Sequence, residues 1–226
     1  LAGTAEMNLR LKRRLNTSLV DVAGDGQLIE LQVVVPGQIA WQENQLQFGI
    51  EGQLLAPTDL KSFGVQSGKV TLVSGQDRLT ATATRPASNL NNHDALPIHV
   101  EASGNVGTWA SRLAWLLPVN GWTLQGDATL TADVEVSHDQ VRLVTSQCTI
   151  NNLVASGPSG YLNEQQLQLS AAGHWAPGDG RMDAKLFTLQ TTSWSLRGDD
   201  VIWLQPAGQP QSLQGQFAFR SDLRRT

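Results

Sequence analysis

The chain has one cysteine, Cys148, among 226 residues, so no intrachain disulfide can form and no cysteine zinc site or iron–sulfur cluster can be built from it alone. Charge is scarce as well: 16% of residues are charged, against about 25% in an ordinary globular domain. The 20 acidic residues outnumber the 16 basic ones to leave a formal charge of −4. That acidic balance predicts no nucleic-acid partner. No apolar run approaches the roughly 18–20 residues that span a bilayer as a helix, and the first residues lack a signal-peptide pattern. A Gly-rich phosphate loop, a nucleophile elbow and a paired-histidine metal motif are missing too, so a non-enzymatic chain with no cofactor and no metal is expected. The sequence opens at Leu1 and stops in Leu223-Arg224-Arg225-Thr226 as though within a strand, which predicts a segment of a longer protein.

What the chain has in abundance is alternation of apolar and polar residues with period two, the mark of strands with one dry and one wet face. Between residues 127 and 136, Ala128, Leu130, Ala132, Val134 and Val136 fall on one side, and Asp127, Thr129, Thr131, Asp133 and Glu135 on the other. The same rhythm runs through Ile29, Leu31, Val33 and Val35; Leu46, Phe48 and Ile50; Leu79, Ala81 and Ala83; and Leu96, Ile98 and Val100. Weaker versions follow at Leu167, Leu169 and Ala171, at Met182, Ala184 and Leu186, and at Leu213, Phe217 and Phe219. Half-wet strands suit antiparallel pairing, so an all-β fold is predicted.

Turn signals punctuate these runs at Gly24-Asp25-Gly26, Pro36-Gly37, Glu43-Asn44, Ser67-Gly68, Ser74-Gly75, Gly157-Pro158-Ser159-Gly160 and Pro177-Gly178-Asp179-Gly180. Val106, Trp109, Leu113, Leu116 and Leu117 recur at helical spacing up to Pro118, predicting a helix over 106–117. A second, shorter one is expected from Thr58 to Phe63, ended by Gly64.

A unit of Gly, any residue, apolar, any residue, apolar opens strands at Gly3, Gly68, Gly126 and Gly215. Three of the four carry a Leu two residues earlier, at Leu1, Leu124 and Leu213, and the second and third copies each follow a candidate helix. Such a unit also recurs by chance in β proteins. The helix–loop–Gly–strand order nonetheless suggests a repeated unit, with 1–226 as one continuous β segment and a repeat boundary near 118–125.

That order resembles the AsmA-like and TamB-like proteins of bacterial envelopes, members of the repeating β-groove group of lipid-transfer proteins. The likeness rests on Asp59-Leu60-Lys61-Ser62-Phe63-Gly64 leading into Ser67-Gly68-Lys69-Val70-Thr71-Leu72, and on Trp109 to Leu117 leading into Thr123-Leu124-Gln125-Gly126-Asp127-Ala128-Thr129-Leu130. The strand Gln165 to Gly173 is similar in texture. The resemblance implies an extended, curved antiparallel sheet whose concave apolar face holds lipid acyl chains. It also implies a periplasmic location and a membrane anchor in parts of the protein outside this segment. Val33, Phe48, Ile98, Leu130 and Val134 are then expected to contact lipid, with no single residue decisive. The apolar–polar pattern alone fits equally well a closed β-sandwich serving as a structural or carbohydrate-binding module.

The remaining polar candidates read as ordinary surface. His99 and Glu101 share the wet face of a strand without a third ligand. His93-Asp94 and His138-Asp139 have the composition of turns that bond local backbone. Cys148 reads as a half-buried packing residue and His174 as a rim residue. Seven tryptophans accompany one tyrosine. Core filling is the expected use of Trp41, Trp109, Trp115, Trp122, Trp175, Trp194 and Trp203, with sugar stacking or anchoring at a groove mouth as alternatives.

Overall fold

A computed structural model describes residues 2–35, 38–55, 63–90, 94–112, 121–158, 160–176, 180–204 and 212–221, with backbone only for 33–35 and 38–41. Twelve strands form one open, curved antiparallel sheet in which every strand pairs with its neighbours in sequence, from β1 to β12 in order. In chain order they are β1 (Ala2–Arg13), β2 (Leu19–Val35), β3 (Gln38–Leu55), β4 (Gly64–Ser74), β5 (Asp77–Ala83) and β6 (Leu96–Asn105). A short helix, α1 (Val106–Arg112), precedes β7 (Thr123–Val136), β8 (Val141–Gly157), β9 (Gly160–Ala176), β10 (Arg181–Gln190), β11 (Trp194–Leu204) and β12 (Ser212–Ser221). Among the described residues no second sheet lies over the first, so the closed sandwich is overturned: α1 is the only element packed on the apolar face.

Several of the expected turns lie inside strands. β2 and β3 run 17 and 18 residues, against about 5–6 for a usual strand, and they absorb Gly24-Asp25-Gly26 and Glu43-Asn44; β4 absorbs Ser67-Gly68. Gly26 serves packing: a Cβ there would lie 2.6 Å from the Phe48 ring, so the glycine is the space the phenylalanine fills. The turns at Ser74-Gly75 and around Pro158 are present.

Alternation is broken at specific places by an extra residue. In β10, Lys185 has no partner on β9, so Ala184 pairs with Gly173 while Leu186 pairs with Ala172. The phase therefore flips, Phe187 takes the inner face, and Leu186 turns outward with 38% exposure, contrary to its expected grouping with Met182 and Ala184. Val144 in β8 is a similar insertion: Leu143 and Ser146 both face inward, and Ser146 exchanges hydrogen bonds with the Ala171 backbone at 3.0 and 3.2 Å.

The glycine echo marks a repeated backbone device. Gly3 and Gly126 adopt φ of 129° and 135°, which side chains other than glycine's rarely tolerate, and Gly215, the third copy preceded by Leu, stands at 158°. Each faces a left-handed residue on the paired strand: Glu30, Asn152 and Asp200, with φ of 53°, 53° and 50°. Gly68, which lacks the preceding Leu, sits in ordinary strand backbone with φ outside that region.

The repeat extends well beyond these glycines. After Glu30 comes buried Leu31 opposite buried Glu43; after Asn152 comes buried Leu153 opposite buried Glu164. Three residues on, Leu46 pairs with Leu28 just as Leu167 pairs with Ile150. The sheet is thus two related halves, β1–β6 and β7–β12. Of the expected helix over 106–117, the structure shows Val106–Arg112, and 113–117 lies outside the described residues, as does Thr58–Ser62 of the other. Asn105 starts α1 as its N-cap, its Oδ1 accepting from the Gly107 and Thr108 amides at 2.9 and 3.3 Å.

Candidate functional site

Strand register sorts the side chains into rows that cross the whole sheet, because directly paired residues share a face. One row runs Met7, Gly26, Phe48, Leu72, Leu79, Ala102, Leu130, Cys148, Leu169, Leu189, Leu196, Phe219, one residue from each strand and none polar. The adjacent row on the same face, from Leu9 through Ile50, Val100 and Ala132 to Phe217, has Ser146 as its only polar member, already bonded to backbone. Beside the first row, on the opposite face and on the side away from the second row, lie Glu6, Gln27, Gln47, Val73, Arg78, Ser103, Thr129, Thr149, Gln168, Gln190, Ser195 and Arg220, polar but for Val73. Side-chain amides link up along that outer face, Gln27 Nε2 donating to Glu6 at 2.7 Å and Gln45 Nε2 to Gln27 at 2.8 Å.

Four of the residues expected to contact lipid stand together on the apolar face. Phe48 and Leu130 belong to the first row, and Ile98 pairs directly with Val134, four residues along β7 from Leu130. Val33 pairs with Trp41 on β3, but the side chains of both lie outside the described residues. Twelve strands give eleven spacings of about 4.8 Å, so the apolar path is roughly 50 Å long.

Beside α1 the apolar face holds a cavity that spans β3 to β7. This cavity of about 380 Å³ is lined by Leu46, Leu72, Leu79, Ala102, Leu130 and Trp109, with Ser74, Asp77, Arg78 and Arg112 at its margin. The helix is held there by a polar clamp. Arg112 donates to Glu43 on β3 and, at 2.6 Å, to Asp77 at the start of β5. Ser74 donates to the other Glu43 oxygen at 2.6 Å, and the Asn105 amide donates to Asp77 at 2.8 Å. Burial opposes the charged guanidinium, yet hydrogen bonds and the charges of Glu43 and Asp77 outweigh it and raise the Arg112 pKa above its ordinary value. With two carboxylates to one guanidinium, the cluster carries a formal charge of −1 when all three are ionised. It bridges α1 to β3 across the arc of β4, β5 and β6.

None of these clamp residues stands out in the sequence. Glu43 reads as a turn residue and Arg112 falls within the expected helix. The available signal was the pair Glu43-Asn44-Gln45-Leu46-Gln47-Phe48 and Glu164-Gln165-Gln166-Leu167-Gln168-Leu169, two matching stretches that place a glutamate three residues before an inward leucine.

The sequence-level polar candidates behave as solvated surface. His99 Nδ1 lies 2.7 Å from Asp133 Oδ1, while its Nε2 is 3.9 Å from Glu101. The His99 hydrogen bond holds the Asp133 carboxyl below the usual carboxylate range, with a further contribution from Thr145. Asp94 accepts from the Asn89 amide at 3.0 Å and Asp139 from the Ser137 hydroxyl at 3.1 Å, both local contacts; His93 lies outside the described residues. His174 is exposed beside Asp183 at 3.4 Å. Cys148 is half-buried against the cluster of Val106, Ala128, Leu153 and Leu167, and burial pushes its thiol pKa up, which suits packing rather than nucleophilic attack. No group of three or more His, Cys, Asp or Glu able to hold a metal occurs among the described residues.

The tryptophans divide in use. Trp109 lines the cavity and Trp194 packs against the Val106 cluster. Trp122 lies over Gly157, and Trp175 and Trp203 flank Met182 across β9, β10 and β11 on the inner face. Trp41 and Trp115 have side chains outside the described residues. Comparison with protein-family models, with curated proteins and with solved structures finds no match to this chain. Among the described residues no helix is long and apolar enough to cross a membrane.

Proposed function

We propose that this chain is a non-enzymatic segment of a bacterial cell-envelope protein, and that its apolar β-face binds or transfers lipid. The observation that carries this reading is the row of side chains from Met7 to Phe219, which crosses twelve strands without a polar residue and, among the described residues, is covered by α1 alone. A soluble protein seldom leaves a contiguous apolar surface uncovered unless something else occupies it. Acyl chains fit the chemistry: each methylene withdrawn from water contributes about 0.8 kcal/mol and requires no directional partner. The proposed ligand contacts are Phe48, Ile98, Leu130 and Val134, with Val33 continuing the strand run of β2. The resemblance to the AsmA/TamB group adds the periplasmic setting and a membrane anchor lying outside this segment.

The test is lipid photo-crosslinking in cells, paired with native mass spectrometry of the purified segment for co-purifying lipid. Leu130→Asp and Ile98→Asp each place a charge on the apolar path. Loss of crosslinking with an unchanged circular dichroism spectrum is the expected outcome. Full crosslinking in both folded variants would sink the reading.

A further inference from the structure

The two halves share a frame but fill it differently at one position. Six residues separate Leu72 from Leu79 across the β4–β5 turn, and six separate Leu189 from Leu196 across the β10–β11 turn. All four leucines belong to the same apolar row, so the position two before the second leucine corresponds in each half: Asp77 in the first, Trp194 in the second. Both point to the inner face toward a buried glutamate. In the first half Asp77 and Glu43 are bridged by Arg112, and the 380 Å³ cavity remains beside them. In the second, the Trp194 indole donates to Glu164 Oε1 at 3.0 Å, stacks on Phe219 with ring centroids 6.2 Å apart, and packs against the cluster of Val106, Ala128, Leu153 and Leu167.

We propose that Trp194 is a plug. It occupies in the second half the volume that the first half leaves open, so the trough receives one acyl-chain end, beside α1 and against Trp109. This rests on the lipid reading above and adds where the chain lodges and which residue limits it. At roughly 30 Å³ for a group the size of a water or a methylene, the cavity holds about a dozen methylenes. The aspartate cannot fill that space because its carboxylate is drawn into the clamp. The indole can, because its one polar atom is satisfied by Glu164 and the rest is apolar.

The test titrates the purified protein with hexadecanoate and counts bound ligand by native mass spectrometry. The wild type is expected to take one equivalent. Trp194→Leu combined with Glu164→Gln, which removes the plug together with the carboxylate that needs its donor, is expected to take two. A variant still taking one, or a wild type already taking two, overturns the plug. A wild type taking none defeats the lipid reading itself, which keeps the two failures distinct. Should the double variant not fold, tryptophan quenching by bromine-labelled hexadecanoate decides the question in conservative variants. Trp109→Phe is expected to lose most of the quenching and Trp194→Phe to lose little, and the reverse pattern overturns the proposal.

Discussion

The first and second halves of the sheet use the same glycine-and-left-handed pair, the same Leu–Glu apposition and the same turn length, yet one holds its inner end with charge and the other with an aromatic ring. Arg112, Glu43 and Asp77 clamp a helix beside an open cavity; Trp194, Glu164 and Phe219 close the equivalent place with protein. The difference between halves shows that one strand frame can carry either a charged clamp beside a cavity or an aromatic ring. The side chain at the turn decides which.

The comparison is broken most severely at the clamp. Arg112→Ala removes the guanidinium that the buried Glu43 and Asp77 share, and chemical denaturation is expected to show a loss of about 3–5 kcal/mol. Replacing the trio together by Met, Leu and Leu should recover most of it, because the desolvation cost disappears with the charges. The inward leucines come next. Leu167 is packed in the Val106 cluster, whereas Leu46 borders an existing cavity. Leu167→Ala is expected to cost near the top of the usual range of about 2–5 kcal/mol and Leu46→Ala near the bottom; equal losses would mean the cavity is not a standing feature.

The repeated backbone device is tested by glycine substitution. A Cβ at Gly126 would stand 2.9 Å from the Asn151 carbonyl oxygen in a conformation unfavourable to side chains, so Gly126→Ala should cost about 1–3 kcal/mol. Gly68→Ala meets nothing closer than Val65 at 3.7 Å and should be near neutral. The smallest effect is electrostatic. Asp133, Asp183 and Asp199 in the second half all have pKa values lowered from 3.8, by hydrogen bonds from His99, Arg181 and Arg197 respectively; in the first half Asp21 is lowered by Arg14. A lowered folded-state pKa contributes stability above the unfolded pKa, and that contribution is lost as pH falls through the lowered value. Acid titration below about pH 4 should therefore show a shallower loss of stability in Asp133→Asn than in the wild type.

Much of the architecture was legible as pattern. Alternation in 127–136 specifies which of its side chains share a face, and period two puts Phe48, Ile98, Leu130 and Val134 each on the apolar side of its own strand. The echo at Gly3, Gly126 and Gly215 was legible as a repeat, although its meaning, a glycine opposite a left-handed residue on another strand, was not. Pattern failed where one residue is inserted. Lys185 looks like any exposed lysine, and only its lack of a β9 partner shows why Leu186 faces outward. Glu43-Asn44 and Gly24-Asp25-Gly26 were misread as turns because turn residues are defined by local chemistry, whereas here distant strands dictate extended backbone.

By itself the sequence determined the class of secondary structure and the two-faced character of nearly every strand, because side-chain direction in a strand is fixed locally by the backbone. Only the tertiary structure decided that the apolar faces join into one path, that Arg112 reaches Glu43 from the far side of three strands, and that Trp194 stands where Asp77 stands. Those facts depend on register and curvature, which arise between segments far apart in the chain.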